Sequence, residues 1–163
     1  TAGGSKGNFA LPTYGNFTLT NHNGKKTSLH DFKGKLVLMF FGYTNCPDVC
    51  PTGLRQIDSV LKVLGDKAKE VRVLFISVDP ERDTPERLKE YVPYFNPSFI
   101  GLTGSKEDVD KVVKQYGVMY ERDKPDEKGY YQVGHSTSIY LIDKESNFKY
   151  LFSFSFNFYK KKN

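Results

Sequence analysis

No apolar run in this 163-residue chain approaches the length of a membrane span. The longest, Leu36-Val37-Leu38-Met39-Phe40-Phe41, falls far short of the roughly 18 residues such a helix needs. Charge of one sign is also missing as a block. The 24 basic and 19 acidic residues are interspersed, for a net charge of +5, and only Lys160-Lys161-Lys162 forms a run. A basic chain favours acidic partners, but no Arg/Lys stripe interleaved with aromatics occurs, which argues against nucleic-acid recognition. The terminal lysines read as a solvated tail. Cysteine is scarce, with two residues, too few for a structural zinc site built from four protein ligands. There is no internal repeat, low-complexity tract or composition shift that would mark a second domain.

What is present is aromatic mass. With 13 Phe and 11 Tyr, the chain can bury the roughly 68–70% of its surface expected at this size, which excludes disorder and collagen-like structure. The reading is one domain over 1–163, with 1–8 flexible and 153–163 left unassigned. The opening Thr-Ala-Gly-Gly-Ser-Lys-Gly implies that any signal peptide or anchor was removed or lies outside this sequence.

Along the chain, Phe17-Thr18-Leu19-Thr20 alternates apolar and polar residues and meets Asn23-Gly24, the pair suited to a tight hairpin with positive φ. Leu36 to Phe41 reads as a central strand covered on both faces. From Thr52 the period turns helical through Leu54, Ile57, Val60, Leu61 and Leu64, with Gly65 at the end. Val71 to Val78 reads as a second buried strand. Thr84-Pro85 caps a helix presenting Leu88, Tyr91, Val92 and Phe95. Phe99 to Thr103 is a third strand, and Ser105 and Asp108 form a capping pattern ahead of Val109, Val112, Val113 and Tyr116, closed by Gly117. After a polar excursion over Arg122 to Gly129 come strands at Ser138 to Ile142 and Phe148 to Phe156, as an antiparallel hairpin. Strands alternating with helices indicate a three-layer α/β domain with a mixed central sheet, flanking helices and an N-terminal hairpin.

The two cysteines, Cys46 and Cys50, lie at i and i+4 at the junction of the central strand and its helix. Open α/β sheets place ligands and reactive groups at this end of a strand. A thiol near a helix N-terminus feels the positive end of the dipole, which lowers its pKa and supplies thiolate for attack or metal binding. The bland alternative is a stabilising disulfide, but closing three intervening residues removes little chain entropy. Two soft sulfurs suit a low-coordinate ion such as Cu(I). Of three histidines, His22 and His30 lie in polar, turn-like stretches and read as solvated. His135 precedes the last buried strand, where it is either a hydrogen-bonded structural residue or a third ligand.

The sequence resembles the Sco (SenC) family of copper-binding, cytochrome c oxidase assembly proteins. The matching pieces, in order, are Gly34 to Pro51 with Cys46 and Cys50, Ile76 to Asp83 with Asp79-Pro80-Glu81-Arg82-Asp83, Gly101-Leu102-Thr103-Gly104, and His135 to Asp143. The resemblance implies a thioredoxin-like fold and a copper site of Cys46, Cys50 and His135, able to hold Cu(I) and also Cu(II). It gives Asp79 a supporting place near the site, against a plain role as a turn carboxylate. Pro47 and Pro51 would shape the loop, and Tyr43 would pack over the site or in the core.

The implied function is a copper metallochaperone delivering to the binuclear copper site of cytochrome c oxidase subunit II, with an upstream copper donor or thiol reductant. The rivals are a thiol–disulfide oxidoreductase that reduces the same acceptor through Cys46 and Cys50, and a redox or copper sensor. The implied location is the outer face of a bacterial cytoplasmic membrane or the periplasm, or the mitochondrial inner membrane facing the intermembrane space, with an N-terminal anchor. The chain departs from the pattern in three places. Gly134 stands where many relatives carry Asp before the histidine, removing an acceptor that would orient the imidazole. His135 takes the place of the cis-proline of thioredoxins and peroxiredoxins, and Thr44 is two residues before Cys46 where peroxiredoxins want three. The alternating Phe152 to Phe158 replaces a C-terminal helix.

Overall fold

The structure, a computed structural model, describes residues 12–46, 49–118, 120–122, 133–135 and 138–153, with backbone alone at 49, 120–122, 133–135 and 153. The expectations for 1–8, for Pro47 and for the chain beyond Ser153 lie outside these residues.

The alternating segment at the N-terminus forms β1 (Thr18–Asn21) and β2 (Lys26–Ser28), an antiparallel pair. The turn is closed by the Gly24 N–H donating to the Asn21 carbonyl at 2.8 Å. Gly24 takes φ +79°, a region that L side chains rarely enter. The loop is one residue longer than a two-residue turn, because Asn21 Oδ1 accepts from the N–H groups of both Asn23 and Lys25.

The continuous apolar run becomes β3 (Leu36–Gly42), which pairs in parallel with β4 (Val71–Ser77), Leu36 opposite Val71 through Gly42 opposite Ser77. β5 (Ile100–Thr103) extends this parallel core and also pairs with β1. On the other side β8 (Ser138–Ile142) runs antiparallel to β3, and β9 (Phe148–Ser153) antiparallel to β8. The sheet order is β2-β1-β5-β4-β3-β8-β9, mixed as expected.

The helices are α1 (Val49–Leu64), α2 (Pro85–Phe95) and α3 (Lys106–Gln115). α1 starts three residues before the change of period at Thr52, since Pro51 is tolerated in a first turn, where its missing N–H is an orphan anyway. Thr84 Oγ1 accepts from Arg87 N–H and Ser105 Oγ from Asp108 N–H, the caps read from sequence. α1 and α2 cover one face, linked by Asn96 Nδ2 donating to Asp58 Oδ1 and by the Arg55 guanidinium over the Phe95 ring. On the opposite face Tyr116, at the end of α3, meets Phe41, Phe17 and Tyr140. The alternation of β3 divides the core: Phe40 packs under α1 at Gly53, and Phe41 under α3. The three-layer, thioredoxin-like expectation holds.

Two features went unread in the sequence. A two-stranded ribbon, β6 (Tyr120–Arg122) with β7 (Val133–His135), flanks what read as a featureless polar excursion. Strands of three residues are too short to show a period. His22, expected in solvent, accepts the Gly101 N–H on Nδ1 at 3.0 Å, and burial followed by the nearby Lys89 charge lowers its pKa. His30 is exposed as expected. Among the described residues no helix is long and apolar enough to cross a membrane.

Candidate metal centre

β3 ends at Gly42, and the next four residues turn into the N-terminus of α1. The Cys46 N–H donates to the Tyr43 carbonyl at 3.3 Å, making residues 43–46 a turn. Cys46 Sγ then accepts the Cys50 N–H at 3.4 Å, so one sulfur receives an amide of the first helical turn while the other rides on that turn. Both residues are buried thiols, Cys46 with 7% of its surface exposed and Cys50 with none. Such an amide favours negative charge on the Cys46 sulfur.

For Cys50 the sequence expectation of a lowered pKa is overturned. Its hydrogen bond with Cys46, then burial, then the Cys46 charge, push the thiol well above its ordinary value. The helix dipole is outweighed because Cys50 sits inside the fold. A Cβ on Gly42 would come within 2.8 Å of Cys50 Sγ and 2.9 Å of the Phe75 ring. Glycine at the strand end is thus what lets the sulfur lie against the sheet. Tyr43 is buried in the core beside this turn.

The loop before Cys46 is braced from across the molecule. Asp83, whose side chain is 1% exposed, accepts from Thr44 N–H at 3.0 Å and Ser77 Oγ at 2.6 Å on Oδ2, and from Thr44 Oγ1 at 2.6 Å on Oδ1. Burial pushes the Asp83 carboxyl up, against the opposing effect of these hydrogen bonds. Arg87 donates from Nε to Thr44 Oγ1 at 2.6 Å and from Nη2 to Asn45 Oδ1 at 2.5 Å. Asp79, the supporting candidate from sequence, is buried nearby, but its carboxylate binds the Arg82 Nε and its N–H donates to Ser77 Oγ. Asp83 and Arg87, which sequence reading passed over, touch the cysteine loop. The signal available was the last acid of Asp79-Pro80-Glu81-Arg82-Asp83, one residue ahead of the helix cap. The Tyr91 ring leans on Phe75, and its pKa is raised first by burial and then by the neighbouring Cys50 and Cys46.

His135 closes β7, with its backbone opposite Tyr120 and three residues ahead of β8. Its imidazole lies outside the described atoms. Among the described residues no three His, Cys, Asp or Glu side chains gather to hold a metal. The described donor set is therefore two sulfurs joined through one helical turn, which fits a soft ion of low coordination number and not a hard oxygen-seeking one.

Comparison with known proteins places the chain in a family. The sequence model of the SCO1/SenC family matches residues 5–159. A "SCO2-like protein" of Rickettsia felis is 41% identical over 138 residues, covering 84% of this chain and 66% of the relative. The human "Protein SCO1 homolog, mitochondrial" is 40% identical over 136 residues, covering 82% of this chain and 45% of the relative. The chain thus spans about two thirds of the Rickettsia relative and under half of the human one. Among solved structures, Arabidopsis thaliana ScoI with copper bound superposes with a TM-score of 0.82 at 36% identity, covering 88% of this chain and 89% of that one. Bradyrhizobium japonicum ScoI with copper bound superposes with a TM-score of 0.81 at 44% identity, covering 88% and 90%. A family match over nearly the whole length, relatives well above 30% identity and a shared fold lead to one conclusion: the chain belongs to the SCO1/SenC family.

Proposed function

We propose that this protein is a copper carrier of cytochrome c oxidase assembly, taking copper on Cys46, Cys50 and His135 and passing it to the binuclear copper site of subunit II. The observation that carries the reading is the pair of buried thiols at the N-terminus of α1, with Cys46 Sγ facing the Cys50 N–H. Support for His135 comes from topology. β8 runs antiparallel to β3 with Phe40 opposite Ile139, so the segment entering β8 begins at the end of the sheet where β3 stops and the cysteine turn starts. The copper-bound Arabidopsis and Bradyrhizobium relatives support copper as the cargo.

Copper is the substrate here, and the chemistry is ligand exchange. Two thiolates and an imidazole make a three-coordinate site that holds Cu(I) through soft bonding and leaves one direction open to an incoming thiolate. Cys50 keeps its proton until copper displaces it, because its surroundings disfavour the bare thiolate. Cys46, the more exposed sulfur, is the first to meet an acceptor. The location that accompanies this reading is a membrane-associated one, outside the bacterial cytoplasm or in the mitochondrial intermembrane space. The mitochondrial designation of the human relative supports it.

A second reading, thiol–disulfide exchange with the acceptor, uses the same pair. The asymmetry of the two sulfurs favours it specifically: the amide-bonded Cys46 suits attack and the inaccessible Cys50 suits resolution of a mixed disulfide. The deciding experiment is a Cu(I) titration of the reduced protein against a competing chelator, beside His135→Ala. One tightly held copper per chain that is lost in the variant supports the carrier. Equal, weak binding by both proteins rejects the three-ligand site and moves disulfide exchange to first place.

A further inference from the structure

A buried carboxylate needs a reason, since desolvating it is costly unless donors converge on it. Three converge on Asp83: the Ser77 hydroxyl from the end of β4, and both the N–H and the hydroxyl of Thr44. Holding one residue by backbone and side chain with a single carboxylate fixes its rotation as well as its position. Thr44 is two residues ahead of Cys46, inside the turn closed by Cys46 N–H and Tyr43 carbonyl. The neighbouring Asn45 is gripped by Arg87, which also bonds Thr44 Oγ1 and lies 3.8 Å from Asp83. Every residue from 43 to 46 thus has a hydrogen bond that sets the turn, and two of the four are anchored at the start of α2, about 40 positions along the chain. The cysteine motif does not hold its own shape.

We propose that Asp83, acting through Thr44 and assisted by Arg87, is the positioning residue that aims the Cys46 sulfur at the N-terminus of α1 and so sets both its reactivity and its fitness as a ligand. This rests on the copper reading for its affinity arm only. The brace joins the loop, the end of β4 and the entrance of α2.

The test is made on the copper-free, reduced protein first. Site-resolved iodoacetamide labelling read by mass spectrometry is compared across wild type, Asp83→Asn, Thr44→Val, Thr44→Ser and Val92→Ala. Val92→Ala loosens α2 without touching the brace, and so controls for loss of stability. Asp83→Asn and Thr44→Val are expected to slow Cys46 labelling roughly fivefold, because the sulfur loses the amide that favours its thiolate, on the scale of one lost hydrogen bond. Thr44→Ser, which keeps the hydroxyl, restores the wild-type rate, and Val92→Ala leaves it unchanged. Cu(I) affinity falls by about 10-fold in Asp83→Asn and Thr44→Val and recovers in Thr44→Ser, as for other groups that orient a ligand. Wild-type labelling in both brace variants, or equal slowing in Val92→Ala, overturns the proposal. Should wild type hold no tight Cu(I), the carrier reading fails while the labelling result still decides the role of Asp83. If Asp83→Asn does not fold, the Thr44 pair decides alone.

Discussion

The two flanks of α1 are built on opposite principles. At its sheet side Cys50, Leu54, Ile57 and Leu61 are buried, Phe40 packs against Gly53, and the turn ahead of the helix is tied down by Asp83 and Arg87. At its other side, between α1 and β8–β9, lies a groove of about 820 Å³ lined by Leu38, Val60, Ile139, Leu141 and Phe152. Val60 and Phe152 are exposed there, and Val63 on the same helix is 88% exposed. The first flank is specified by directional bonds and close contact. The second is apolar area that nothing among the described residues covers. The lesson is that one helix can carry a site rigidly on one side while the other side contributes almost nothing to its stability.

The comparison is broken most severely by Leu54→Ala. Leu54 is fully buried, and such truncations cost about 2–5 kcal/mol, measurable as a lower denaturation midpoint at unchanged slope. Next comes Gly42→Ala, whose Cβ meets Cys50 Sγ and Phe75 at under 3 Å. Overpacking of this kind costs about 1–3 kcal/mol, and the displaced sulfur should lower Cu(I) affinity as well. If Gly42→Ala binds Cu(I) like wild type, the strand end does not set the sulfur.

A smaller effect sharpens the contrast through pH. The Lys62 hydrogen bond first, and the Asn96 hydrogen bond, hold the Asp58 carboxyl below its ordinary 3.8, with burial opposing them. A depressed carboxylate contributes stability that is complete above the unfolded value and is lost as pH falls through the folded one. Asp58→Asn should therefore be less stable than wild type near neutrality, with the difference closing as pH falls below 3.8 in an acid-unfolding series. The smallest effect is Val63→Ser, expected within about 0.5 kcal/mol of wild type because the site is already in solvent. A loss as large as that of Leu54→Ala would mean that the outer flank is covered after all.

Much of the architecture was readable because its signals are local. The continuous run at Leu36 to Phe41 named the central strand, Thr84-Pro85 and Ser105 with Asp108 named two helix starts, and Asn23-Gly24 named the hairpin turn. The ribbon of β6 and β7 escaped because three-residue strands have no period. His22 escaped because its partner, the Gly101 amide, is 79 positions away. In the candidate site, Cys46 and Cys50 were legible because i and i+4 share a helix turn, whereas Asp83 was not, because its partners Thr44 and Ser77 belong to other elements.

By itself the sequence determined the family, the mixed α/β core and the two sulfurs at the strand-to-helix junction, since periodicity, caps and motif spacing act within one turn or one strand. Only the tertiary structure decided that its bond to Cys46 and burial push the Cys50 thiol up, that Gly42 makes room for its sulfur, and that Asp83 braces the loop. Desolvation and convergent hydrogen bonds arise from residues far apart in sequence, and they come into being only when β3, β4 and α2 are packed together.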